Sequence, residues 1–116
     1  MLIKELKRLI NATRYSLEGI KSAFLYEPAF RTEIFLGLIL LAVGLYFSEN
    51  SMDKFLLFSS AVLVLIVEII NSAIEAIVDR ISSEQHPLSG RAKDYGSAAV
   101  FLALINFLVV FAFIVI

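Results

Sequence analysis

The chain has 116 residues, room for one domain and not for two. Apolar residues make up 59% of it and charged residues 18%, a balance tilted away from water-soluble domains, where about 25% are charged. A net charge of −1 gives no sign of a nucleic-acid partner. The absence of cysteine removes disulfides and thiolate metal sites, and a single histidine cannot by itself build a histidine zinc site.

From Met1 to Lys21, charged and apolar residues alternate too closely to form the core of a secretory signal. Ile3, Leu6, Ile10, Leu17, Ile20 and Phe24 recur at the spacing of one helix face, which predicts a helix over 2–26. Lys4, Lys7, Arg8, Asn11, Arg14, Glu18 and Lys21 fall largely on the rest of it. Such a helix suits a membrane surface, with its apolar face at the acyl boundary and its basic residues near the headgroups. The alternative is an amphipathic helix packed on protein.

Pro28 breaks the pattern by removing an amide and disfavouring helical geometry at Glu27. Proline is common at the first position of a new helix, so Glu27 is expected at a turn before a first span over 29–48. Ile34–Phe47 carries no charge but covers only about 21 Å at 1.5 Å per residue, which leaves Arg31 and Glu33 near the interface. SENSMDK (48–54) reads as a short polar turn and 55–78 as a second span. The segment 79–95 reads as a polar loop broken by Pro87 and Gly90, although its start can extend the preceding helix as far as Glu84. An uncharged stretch over 96–116 completes a third span. The expected architecture is all-α and membrane-integral, a single domain of one surface helix and three transmembrane helices.

Lys4, Lys7, Arg8, Arg14, Lys21 and Arg31 precede the first span. Arg80, Arg91 and Lys93 separate the second and third, while Lys54 alone flanks the short turn. The positive-inside rule therefore places the N-terminus and the 79–95 loop in the cytoplasm and the C-terminus outside.

The second span holds a set of polar residues. At about 100° per residue, Asn71, Glu75 and Asp79 lie within about 60° of Glu68 on the helix wheel, so the four form one stripe. A carboxylate at mid-span costs on the order of 2.5–3.5 kcal/mol and marks a functional site by default. The competing reading is a buried ion pair with a neighbouring helix, but no basic residue lies within a span at that depth. Glu68 and Glu75 are two turns apart, about 10.5 Å, which fits separate roles along an extended anionic ligand. Arg91 and Lys93 supply cations that could meet phosphates, with Mg²⁺ held by one or two carboxylates and phosphate oxygens; positive-inside topology alone also explains them. No phosphate-binding glycine motif is present. GSAA (96–99) is small enough for close helix packing in lipid.

ATRYSLEGIKSAF, EPAFRTE and EIINSAIEAIVDRISSEQHPLSGRAKDYGSAAV resemble the prokaryotic diacylglycerol kinase family, small integral-membrane kinases unrelated to soluble kinases. The resemblance runs from Arg8 into the third span, and its E-x-x-N-[ST]-A-I-E run followed by A-K-D is highly specific. It implies a homotrimer in the bacterial inner membrane, with active sites near the cytoplasmic face that combine residues of neighbouring chains. It also implies ATP as phosphoryl donor, Mg²⁺ as cofactor and a membrane lipid as acceptor. By resemblance Glu68 is the catalytic base, Asn71 the polar residue beside it, and Glu27 and Glu75 the metal carboxylates. Arg8, Tyr15, Glu84, Gln85, His86, Lys93 and Asp94, together with Glu27 and Glu75, match nucleotide-binding positions. Arg8, Phe30, Arg31, Glu33, Glu68 and Ser97 match positions at the lipid substrate. Pro28 departs from the small residue expected after the metal-binding glutamate, and Asn11 and Glu18 stand where relatives are often basic.

Phosphoryl transfer asks a protein mainly for positioning and charge neutralisation. A base set deeper than the metal carboxylates suits a lipid alcohol meeting an aqueous nucleotide. Undecaprenol kinase is the alternative within the family, although SGRAKDYGSAAV is more similar to the diacylglycerol branch. A small multidrug transporter, which has four spans and little loop, and a non-enzymatic assembly factor are the alternatives outside it.

Overall fold

The computed structural model of the chain describes residues 1–81 and 84–116; Ser82 and Ser83, within the expected 79–95 loop, lie outside the described residues. The described residues form four helices and no strand: α1 (Leu2–Tyr26), α2 (Pro28–Phe47), α3 (Ser51–Ile81) and α4 (Pro87–Val115).

The breaks between helices follow local chemistry. Glu27 is extended, with φ −116° and ψ 97°, and Pro28 opens α2 at a position where a missing N–H is no loss. Helix α2 ends where Ser48 turns extended and its hydroxyl donates to the Leu45 carbonyl at 2.8 Å. Two residues on, Asn50 Oδ1 accepts the Asp53 amide at 2.9 Å and so caps the start of α3. The polar turn expected over 48–54 is therefore confined to 48–50, because this cap lets the helix begin at Ser51.

The larger difference lies at the other end of α3. Helix α3 runs on to Ile81 and α4 begins at Pro87, so Arg91, Lys93 and Asp94 are helical, although a loop was expected as far as residue 95. Pro87 starts this helix, as Pro28 starts α2. His86 Nδ1 accepts the Leu88 amide at 3.1 Å and caps it. Gly90 lies within the first turns, its N–H bonded to the His86 carbonyl at 3.0 Å. Glycine in a helix costs about 1 kcal/mol relative to alanine, which a long helix packed along its neighbour absorbs.

The closest pairing is α3 with α4, and α2 lies against α3. Leu57, Val64, Ala103 and Phe107 form the buried core, flanked by half-buried Leu40, Leu41, Leu104 and Phe111. Gly44 lets α2 close on α3: a Cβ there would stand 2.5 Å from Leu57 Cδ2, and Leu57 is fully buried. Small residues serve helix contacts in lipid in this way.

This core is small for so apolar a chain. Helices α2, α3 and α4 are each long and apolar enough to cross a membrane, yet only 11% of the residues in each span's most apolar window are buried. Surface of that kind needs a lipid solvent or further protein. The chain is an integral membrane protein with three spans. Helix α1 stands apart from the bundle: Ala23 is its one buried residue, and the molecule measures 48 × 46 × 22 Å, too broad for three helices side by side.

Candidate active site

The polar stripe is carried by the second half of α3. At its deep end Glu68 is 6% exposed and is the only buried ionisable residue among the described residues. The carboxyl of Glu33 on α2 lies close enough to act on it electrostatically. Glu33 Oε2 is buried and has no hydrogen-bond partner among the described residues. Two carboxyls thus face one point between α2 and α3, with an acceptor left over. A buried acceptor without a donor is costly, which marks this point between the helices as unusual for mere packing.

One turn further, Asn71 Nδ2 donates to Glu75 Oε1 at 3.1 Å. That bond settles the amide's orientation, since only the nitrogen can donate to a carboxylate. The opposite atom, Asn71 Oδ1, is buried and without a hydrogen-bond partner among the described residues. It points at α4, where Gly96 is buried and a Cβ would overlap it. Gly96 is the gap that admits the asparagine.

At the outer end Lys93 Nζ of α4 pairs with Asp79 Oδ1 of α3 at 2.6 Å, and Glu75 lies near enough to add to the field on the ammonium. Beside this pair opens a cleft of about 860 Å³ between the end of α3 and the start of α4. Glu84, Gln85, His86, Ser89, Gly90 and Lys93 are among its lining residues. Four of the expected nucleotide residues, Glu84, Gln85, His86 and Lys93, therefore meet in one place, and His86 also holds the helix cap. Asp94 is exposed and does not line this cleft.

The other candidates lie elsewhere in the chain. Arg8 and Tyr15 line a shallow face of α1 with Lys4 and Lys7; Arg8 pairs with Glu5 at 3.7 Å, and the Arg14 guanidinium stacks 5.3 Å from the Tyr15 ring. Phe30 is 2% exposed, so its ring serves packing within the chain. Ser97 is exposed on α4. Arg31 donates through Nη1 to the carbonyls of Phe24 and Leu25 at 2.7 and 3.0 Å.

Glu27 is half-buried in the bend between α1 and α2, and its side chain caps no amide. No group of three or more His, Asp and Glu side chains converges as a metal cage among the described residues. Mg²⁺ does not require one: it is commonly held by one or two carboxylates with phosphate oxygens and water completing the shell. Glu75, oriented by Asn71 and close to Lys93, and Glu27, uncommitted as a cap, are hard oxygen donors that fit such a metal.

Sequence reasoning missed three contacts that shape the site: Glu33 against Glu68, Gly96 against Asn71, and Asp79 with Lys93. Asp79 was visible as the last member of the stripe. The other two depend on which faces of α2 and α4 meet α3.

The fold and site together define a polytopic helical membrane protein with a polar stripe, buried at Glu68 and exposed at Asp79, leading to a polar cleft that holds Lys93. A family profile described as prokaryotic diacylglycerol kinase matches residues 14–115. A diacylglycerol kinase of Haemophilus influenzae is 54% identical over 85% of this chain and 84% of its own. One from Escherichia coli strain K12 is 51% identical over 84% and 80%, and one from Helicobacter pylori strain 26695 is 40% identical over 88% and 80%. The chain belongs to the prokaryotic diacylglycerol kinase family. It is an enzyme, a membrane-embedded kinase.

Proposed function

We propose that the chain transfers the γ-phosphoryl group of ATP to the free hydroxyl of diacylglycerol, giving phosphatidic acid and ADP at the cytoplasmic face of the bacterial inner membrane. The observation that carries this reading is the stripe itself. It runs from buried Glu68 and half-buried Glu33, whose Oε2 is an unsatisfied acceptor, through Glu75, to the Lys93 cleft. One end suits a lipid alcohol and the other a nucleotide.

The lipid hydroxyl donates to the Glu68 carboxylate, with Glu33 facing the same point. As the hydroxyl oxygen bonds to the γ-phosphorus, the bond from phosphorus to the β–γ bridging oxygen breaks. The proton passes to Glu68 and ADP leaves. A positioned base is worth about 10²–10⁴-fold. Lys93, steadied by Asp79, offsets phosphate charge, while Glu84, Gln85 and His86 border the nucleotide. Glu27 and Glu75 would hold Mg²⁺, which supplies neutralisation of the phosphate oxygens when bound. Asn71 fixes the Glu75 carboxylate.

Arg8, Tyr15 and Asp94 complete the nucleotide site in this reading. Arg8 and Tyr15 lie on α1, apart from the cleft, and the exposed apolar faces of the spans call for neighbours; both features support a homotrimer in which neighbouring chains share a site. Helix α1 then lies on the cytoplasmic membrane surface, with Ser97 facing the lipid substrate.

Purified protein supplied with labelled ATP and one lipid alcohol at a time tests the substrate. Diacylglycerol should be phosphorylated at least tenfold faster than undecaprenol, in line with the names of the relatives. Label on undecaprenol alone would overturn the choice.

A further inference from the structure

Between α1 and α2 the chain bends at Glu27 and Pro28. In a helix running straight through residues 24–29, the amide of residue 28 would reach the carbonyl of 24, and that of residue 29 the carbonyl of 25. Pro28 has no amide hydrogen, and Ala29 lies in the first turn of α2 beyond an extended Glu27. The carbonyls of Phe24 and Leu25 therefore lose their helical partners. Arg31 Nη1 donates to those same two oxygens, at 2.7 and 3.0 Å. Helix α1 has no basic residue in its own last turn, so the Arg31 charge also faces the negative end of its dipole.

We infer that Arg31 is a positioning residue: its guanidinium replaces the two backbone bonds lost at Pro28, fixes the angle between α1 and α2, and so sets Glu27 in the site. Pro28 and Arg31 act as one device, in which the proline breaks the helix and the arginine restores what the break removes. The geometry of the bend stands on these bonds alone. The consequence for Glu27 rests on its proposed role as a metal carboxylate.

The chain lacks cysteine, so Ile10→Cys and Tyr46→Cys, both at exposed positions, give one spin label on each helix. Pulsed EPR on labelled chains diluted into unlabelled ones reads the α1–α2 geometry without reference to activity. In Arg31→Ala the distance distribution should broaden about twofold, and the KM for Mg-ATP should rise roughly tenfold, the scale of one lost charge-assisted hydrogen bond. Because Arg31 also matches a lipid-substrate position, the KM for lipid can rise as well, but by less than the KM for Mg-ATP. Arg31→Lys, which keeps the charge, should recover part of both effects. Pro28→Ala/Arg31→Ala should give a narrow distribution again, because residue 28 regains an N–H for the Phe24 carbonyl.

An unchanged distribution in Arg31→Ala would overturn the inference, as would a raised lipid KM with the Mg-ATP KM unmoved, the mark of a direct lipid contact. A Glu27→Gln variant separates the two readings. If it leaves the Mg-ATP KM unaltered while Arg31→Ala still broadens the distribution, the metal role of Glu27 fails and the bend stands.

Discussion

Asn71 sits at the centre of the site because it is held from two sides. Its amide nitrogen aims at Glu75, and its oxygen fills the space that Gly96 leaves open on α4. Gly96→Ala should force the asparagine off this position and strip Glu75 of its donor. Losing one hydrogen bond to a charged group is worth about 1.5–3 kcal/mol, so the apparent Mg-ATP KM should rise about 10–100-fold. Gly37→Ala is the matched control: a Cβ there meets nothing within 4 Å, and both kinetic constants should stay near parent values. Equal losses in the two variants would mean that the alanine acts through the helices in general and not through Asn71. At the deep end, Glu68→Gln keeps the shape of the side chain and removes its capacity to accept a proton. Turnover should fall by at least about 10²-fold with the helical content unchanged by circular dichroism. Retention of more than a tenth of the activity would remove Glu68 from the role of base.

At the scale of elements, each helix start is set by a few atoms, and these can be weighed. His86→Ala removes the acceptor for the Leu88 amide and should destabilise the start of α4 by about 1 kcal/mol, measured as a lowered midpoint in reversible detergent unfolding. Leu57→Ala empties the fully buried contact under Gly44 and should cost more, about 2–5 kcal/mol in the same assay. Much of this architecture was legible beforehand. Uninterrupted apolar runs marked the spans, Pro28 marked the bend, and a 100° repeat put Glu68, Asn71, Glu75 and Asp79 on one face. Pro87 and Gly90 misled because the same residues that interrupt a helix also begin one or ride inside one. What separates the cases is the His86 side chain reaching the Leu88 amide, a contact that composition does not reveal. The meeting of Glu33 with Glu68 and of Arg31 with the end of α1 was hidden for a related reason. Periodicity orders residues around one axis and is silent on how the next axis is rotated against it.

For the whole molecule, the short connections fix a sense of direction. The chain turns at Glu27, at 48–50 and before Pro87, so α2, α3 and α4 run alternately up and down. The end of α1, the end of α3 and the start of α4 therefore share one face of the bundle, and the turn at 48–50 lies at the other. The first face gathers Lys21, Arg31, Arg80, Arg91 and Lys93, while the second has Lys54 alone. A bias of this size orients short-looped membrane proteins with the basic face in the cytoplasm, the compartment that supplies ATP. Exposed Ser51 and Arg91 stand at opposite ends, and in a chain without cysteine each can carry a unique thiol. In intact spheroplasts a membrane-impermeant maleimide should label Ser51→Cys and spare Arg91→Cys until the membrane is permeabilised. The reverse pattern would put the Lys93 cleft outside the cell, away from nucleotide, and the kinase reading of that cleft would fall with it.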